Sequence, residues 1–300
     1  MTESVAMYDL RIDRSIYQTY IDRVLNYSDE VELDLNYVQV HSAGFGRKPA
    51  TLKRQISKLY SIDILDCKYI SFYCMEKGSK DWLHGANAYI GLRIQPEQNS
   101  MTECNFYISR SKYNNASSMV EGIANILIPI LKPTYAIAYK RKIRYLPSWY
   151  AAGGIAGLPL PHKCTPDQKH ERERIEAFSF ASGSHQLYNH GILRDIYLDN
   201  FLTHHQLDAD VLGQALRDWI TSSPDHGVLE HYCQDIYRWS VPEDKIQPVT
   251  DVMWKAGRLL TRDEAEEYVY QLGLAERPAC RQPGWHLKDP RPVPGDPSTW

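Results

Sequence analysis

The sequence has no long apolar run. Its longest, Ile126 to Leu131, is interrupted by Pro129 and falls far short of the ~20 residues that cross a bilayer, so no membrane span is expected. The opening Met1-Thr-Glu-Ser4 lacks a basic stretch and an apolar core, so no export signal is expected. Cysteine is scarce: six in 300 residues, scattered and without close pairs, which reads as the reduced thiols of a cytoplasmic protein. Charge of one sign is also lacking. The formal net charge is −3, which argues against a dedicated nucleic-acid binder. Phenylalanine is sparse as well, at 6 residues against 21 tyrosines.

What is present suits a folded chain. Hydrophobic residues make up 43% and charged ones 24%, enough to bury a core and too balanced for disorder, collagen or a coiled coil. The small net charge hides a division. Residues 1–150 carry 19 Lys+Arg against 15 Asp+Glu, and residues 151–300 carry 15 against 22. Such an asymmetry speaks of partners more than of fold. The plainer reading is two solvated surfaces; the sharper one is an acidic half facing something basic.

Periodicity outlines the elements. Asp13 is placed to cap a helix carrying Ile16, Tyr17, Tyr20, Ile21 and Val24. Val31, Leu33, Leu35 and Tyr37 alternate with polar residues as in a half-buried strand. Pro49 opens a second helix with Leu52, Ile56, Leu59 and Tyr60 on one face. Strands are predicted at Tyr69–Met75, Ala88–Ile94, Cys104–Ile108 and Tyr135–Arg141. A capping box, Ser118-x-x-Glu121, precedes a helix that Pro129 should kink or shorten. Adjacent strands without intervening helices favour an α+β fold with a mostly antiparallel or mixed sheet and flanking helices.

The second half is expected to be helix-rich. Asp208 is read as the cap of an amphipathic helix with Val211, Leu212, Ala215, Leu216, Trp219 and Ile220. Val228–Trp239 supplies one or two strands, Ser240-x-x-Glu243 starts another helix ended by Gly257, and Thr261-x-x-Glu264 starts a last one. The division expected is an α+β domain over 1–146, a linker or long loop over 147–190, a helix-rich domain over 191–275 and an extended tail over 276–300, which holds six of the 17 prolines.

Chemical motifs are thin. Gly153-Gly154-Ile-Ala-Gly157 approaches a dinucleotide fingerprint, but Leu158-Pro-Leu-Pro161 forbids the helix that would receive a pyrophosphate. Gly44-Phe-Gly46-Arg-Lys48 lacks phosphate-loop spacing, and Ser184 lacks a nucleophile elbow. His162-x-Cys164 with His170, the pair His204-His205, and His226 with His231 fit no zinc spacing. No cofactor and no metal are expected. One enzyme-class alternative remains: Asp225, Glu243 and Lys245 can be written as a nuclease-like PD…ExK set, two carboxylates for Mg²⁺ and a lysine for the attacking hydroxide or the phosphate charge. That chemistry needs Glu243 and Lys245 at a strand end, whereas the local pattern predicts a helix start.

A family resemblance rests on other residues. Arg194-Asp-Ile-Tyr-x-x-Asn200-Phe-Leu, the helix ending Trp219-Ile220, Gly227-Val-Leu-Glu230, Trp239-x-Val-Pro242 and Ala256-Gly257-x-Leu-Leu260 together resemble a module of bacterial immunity proteins. Pro147-Ser-Trp149-Tyr150 and Leu158-Pro-Leu-Pro161 resemble further landmarks of that group. It is similar to immunity proteins against polymorphic toxins and type VI secretion effectors, the TsiT-like kind. The resemblance implies a non-enzymatic cytoplasmic inhibitor, paired with a restriction-endonuclease-type nuclease toxin that it occludes or distorts. The expected partner is that toxin, with no direct contact to nucleic acid or membrane; the oligomeric state is not legible. The densest acidic clusters, Asp29, Glu30, Glu32 and Asp34, and Asp263, Glu264, Glu266 and Glu267, are the candidate toxin-binding residues. The plainer reading of each is a solvated face and a helix N-terminal turn.

Overall fold

The computed structural model of the chain describes residues 1–42, 45, 46, 48–76, 86–94, 102–143, 146–151, 163–166, 169, 172 and 186–259. Along the first half run β1 (Thr2–Tyr8), α1 (Arg14–Glu30), β2 (Tyr37–His41), β3 (Ala50–Thr51) and α2 (Leu52–Leu59). They are followed by β4 (Tyr69–Met75), β5 (Ala86–Arg93), β6 (Glu103–Ser109), α3 (Ala116–Leu131) and β7 (Tyr135–Arg141). After α4 (Pro147–Ala151) and α5 (Gln186–Asn189) come β8 (Asp199–Leu202), α6 (His204–Leu207), β9 (Asp210–Val211) and β10 (Gln214–Ala215). The described chain ends with α7 (Leu216–Thr221), β11 (Val228–Cys233), β12 (Ile236–Ser240) and α8 (Ile246–Lys255).

Ten strands form one sheet in the order β11-β12-β8-β7-β1-β6-β5-β4-β2-β3, and its ladders are antiparallel. The α+β class with a large antiparallel sheet therefore holds. The helix-rich second half does not. Among the described residues from 191 onward, β8, β12 and β11 extend the sheet through the β7–β8 ladder, and the helices between them are short. The helix predicted from Val211 is instead a tight β9–β10 hairpin. Leu212 and Gly213 both take positive φ, 55° and 90°, at its turn, leaving Leu212 64% exposed. Only Leu216 onward is helical, and Asp208 closes α6 rather than opening a helix.

The two faces differ chemically. Val5, Met7, Ile70, Phe72, Ile90 and Phe106 lie in one cluster with α1 and α3. Asp13 caps α1 as expected, its carboxylate accepting from the Ile16 N–H at 2.8 Å. The opposite face is tyrosine-rich. Register places Tyr37, Tyr73, Tyr89 and Tyr107 side by side across four strands, with Tyr73 edge-on to Tyr89 at 5.3 Å and Tyr89 stacked on Tyr107 at 5.6 Å. Farther along that face, Tyr8 pairs with Tyr135, and both pack against Tyr188.

Other differences have local causes. Leu33 and Leu35 are buried as their alternation implies, yet their backbones turn instead of pairing: the Leu33 N–H closes α1 on the Ser28 carbonyl at 2.8 Å, and the strand starts at Tyr37. α3 begins a turn earlier than the capping-box pattern implies, after Asn115, so Ser118 and Glu121 lie inside the helix. Pro129 is tolerated in its last turn, which ends on Lys132 in the left-handed region. Among the described residues, no helix is long and apolar enough to cross a membrane.

Candidate functional site

α3 packs on β1 and β6, while the sheet continues beyond as β7, β8, β12 and β11. The β11–β12 hairpin leans back onto the helix. Tyr232 donates to the Asn125 side chain, Gln234 Nε2 donates to the Pro129 carbonyl at 3.4 Å, and Arg238 Nη1 lies 3.5 Å from Glu121. Between helix, sheet and hairpin is a groove of about 240 Å³. The small side chains of Ala124 and Ala138 line it, and Val5, Val120 and Phe201 give it apolar walls.

Charge is concentrated around these walls. Glu3, Glu121 and Asp199 line the groove together with Lys140 and Arg238. Asp199 holds Arg238 Nε at 2.8 Å and also accepts from the Ser240 hydroxyl at 2.7 Å. That hydrogen bond to Asp199 raises the Arg238 pKa further above its ordinary value. Burial pushes the Tyr232 hydroxyl up to about 12. Glu3 points from β1 toward α3 and is 8% exposed. Arg110 Nε is 3.3 Å from Glu3 Oε1, but this oxygen accepts no hydrogen bond. No short motif unites residues so far apart in sequence; only the strand order brings Glu3 and Asp199 to one groove.

The acidic residues singled out from sequence lie elsewhere. Asp29, Glu30, Glu32 and Asp34 are all exposed around the C-terminal end of α1. There Glu32 takes φ 55° in the position where helices usually place glycine, and its N–H turns back to the Asp29 carbonyl. α1 has no basic residue in its last turn, so these carboxylates face the negative end of the helix dipole. Asp263, Glu264, Glu266 and Glu267 lie outside the described residues, as does the tail.

The nuclease-like set is only partly assembled. Lys245 Nζ binds Asp225 Oδ1 at 2.8 Å and lies 3.9 Å from Asp244. This hydrogen bond holds the Asp225 carboxyl below the usual carboxylate range and Lys245 above its own. Glu243 is exposed and opens a 3-10 turn ahead of α8 instead of ending a strand. Among the described residues, no group of three His, Cys, Asp or Glu is placed to hold a metal ion.

The residues that carry the family resemblance have structural partners. Arg194 is buried and donates to the Tyr8 hydroxyl at 2.6 Å, the Ala151 carbonyl at 3.0 Å and the Tyr150 carbonyl at 2.5 Å. Asn200 donates to the Tyr197 carbonyl at 2.8 Å, which fixes the entry to β8. Trp239 donates to the His226 carbonyl at 2.7 Å, next to Gly227 at φ 96°.

No family model and no curated protein matches the chain. Among solved structures, the chain is similar in fold to the Pseudomonas aeruginosa T6SS protein PA0821. The TM-score is 0.53 at 9% identity, over 85% of this chain and 72% of that one.

Proposed function

We propose that this chain is an immunity protein that binds and silences a cognate secreted bacterial toxin, a nuclease effector of type VI secretion, by occluding or distorting it in the cytoplasm. The observation that carries the reading is the fold likeness, over most of both chains, to a protein named as part of the T6SS. The exposed carboxylates at the end of α1 support it, because they sit where they oppose local stability. Natural sequences break such local rules chiefly at functional positions. An acidic surface also suits a basic nuclease cleft, since opposed potentials accelerate encounter and select partners.

Co-expression tests it. Cells that make the toxin encoded beside this gene should survive when they also make this chain and die when they do not. Equal killing in both cultures removes the reading.

A further inference from the structure

We propose that the outer edge of β11 takes up an extended segment of a partner protein as a further antiparallel strand, with a basic residue of that segment opposite Glu230. The inference rests on the reading above that the chain works by binding a protein. The sheet ends at β3 on one side and at β11 on the other. β3 is two residues long and follows Pro49, so it offers little backbone for pairing. β11 is six residues long, and Val228, Glu230 and His231 are exposed along it.

Register shows which backbone groups are free. The Val241 N–H donates to the Leu198 carbonyl at 2.9 Å, one step beyond the Ser240–Asp199 pair. Backbone groups alternate sides along an antiparallel strand, so those of Val241 and Trp239 face β8 and those of Ser240 and Arg238 face β11. The Ser240 carbonyl accordingly stands 2.3 Å from where a β-carbon on Gly227 would sit. Val228 and Glu230, opposite Ser240 and Arg238, therefore turn their backbone groups to β12, and Leu229 and His231 turn theirs outward. Among the described residues, these outward groups have no hydrogen-bond partner. The backbone of another strand is what matches such an edge.

Charge selects the occupant. Glu230 is exposed, and Arg238 across from it is held instead by Asp199 and Glu121. Two copies of this chain joined through both outward residues would set Leu229 of each against His231 of the other, and Glu230 directly against Glu230. Like charges so placed are unfavourable, and a charge on an edge strand is a common block to edge-to-edge pairing. A foreign strand with lysine or arginine at that position turns the repulsion into attraction. Val228 is 55% exposed and lies two residues away on the same face as Glu230. An apolar residue therefore suits the partner two positions from its basic one.

The test needs no toxin. The full chain is titrated with the peptide acetyl-Thr-Val-Thr-Lys-Thr-Val-Thr-amide, and backbone amides are followed by NMR and hydrogen exchange. Saturable shifts are expected at Leu229, Glu230 and His231. Exchange should slow at Leu229 and His231 and stay unchanged at Val228 and Glu230, which are already bonded to β12. A peptide with glutamate in place of the central lysine should bind roughly fivefold more weakly. N-methylation of the two threonine amides that flank the lysine removes the donors facing β11 and should weaken binding at least about tenfold. Glu230→Lys, a change on the exposed edge, should reverse the preference between the lysine and glutamate peptides. No saturable shift, slowing at Val228 and Glu230 instead, indifference to N-methylation, or an unreversed preference in Glu230→Lys overturns the inference. So does a wild-type dimer that protects the same two amides, because a second copy is then the occupant. A chain that protects cells from the toxin but takes up no strand peptide overturns this inference and leaves the immunity reading standing. A chain that takes up the peptide but gives no protection does the reverse.

Discussion

Tyr27 of α1 lies across the backbone of Gly122 in the middle of α3, and its hydroxyl donates to the Met119 carbonyl at 3.2 Å. A β-carbon on Gly122 would stand 2.0 Å from that hydroxyl and 2.6 Å from the ring carbon bearing it. The glycine is therefore a packing requirement, placed where helix propensity opposes it.

Two effects compete in Gly122→Ala. Propensity favours alanine by roughly 1 kcal/mol, while displacing Tyr27 removes a hydrogen bond of about 1 kcal/mol and the ring's packing. The expected result is a net loss of about 1 kcal/mol in urea unfolding. In a Tyr27→Ala background the clash is gone, so the same substitution should become stabilising by a similar amount. A double-mutant cycle in which Gly122→Ala has the same effect in both backgrounds would show that the two residues do not couple.

Arg194 joins strands and loop through the tyrosine layer. Its guanidinium donates to Tyr8 and to the Tyr150 and Ala151 carbonyls, and stacks 4.1 Å from the Tyr150 ring. Arg194→Lys keeps the charge but loses the planar fork and the stacking. It should destabilise the chain by roughly 1–3 kcal/mol, the range for leaving a buried acceptor unsatisfied. Hydrogen exchange should show α4 losing protection first, because two of the three bonds end there. Wild-type stability in this variant would mean that the carbonyls find other donors.

That arginine also shows what the sequence makes legible. Strands β4 to β7, the Asp13 cap and the presence of strand within 228–239 follow from alternation and turn residues, because those signals are local; that the last stretch folds as a hairpin comes from the structure. β1 escapes the same logic. Its Thr-Glu-Ser-Val-Ala-Met-Tyr run is buried on both faces at the centre of the sheet, so no polar–apolar alternation marks it. Many of the tyrosines, Tyr8, Tyr73, Tyr107, Tyr135 and Tyr139 among them, lie on one inner face of the sheet. Glu121 read as a capping residue and proves to be a groove carboxylate, since its partner Arg238 is distant in sequence. Local chemistry is legible from a single chain, whereas a site assembled by strand order is not.

Glu103 gives a pH test. It lies on β6 at 5% exposure, 3.6 Å from Arg93, and accepts from Asn105 Nδ2 at 3.2 Å. Burial raises its pKa, and the Arg93 charge offsets this only in part. In the folded chain the carboxyl thus holds its proton more tightly than when unfolded. Its contribution to stability is present below the unfolded pKa and is lost as pH rises through the raised folded value. Glu103→Gln should remove that dependence and be the more stable protein at neutral pH. The check is the difference between the two unfolding curves from pH 4 upward; a difference that grows in favour of wild type as pH rises would reverse the assignment.

Glu32 connects stability with the proposed function. A left-handed non-glycine residue is disfavoured by roughly 1–2 kcal/mol, and a carboxylate near a helix C-terminus by a further ~0.3–1 kcal/mol. The Leu33 N–H bonded to the Ser28 carbonyl marks this turn as one glycine would satisfy better. Glu32→Gly should therefore raise stability by about 1 kcal/mol or more, while removing one of four exposed carboxylates. If those carboxylates meet the toxin, neutralising Asp29, Glu30 and Asp34 as well should slow association and weaken protection in co-expression, with the fold intact. The salt dependence of the association rate should flatten in parallel, because the steering field has been removed. A stabilised variant that still protects fully would place the toxin on another surface, and the outer edge of β11 would be the next to test.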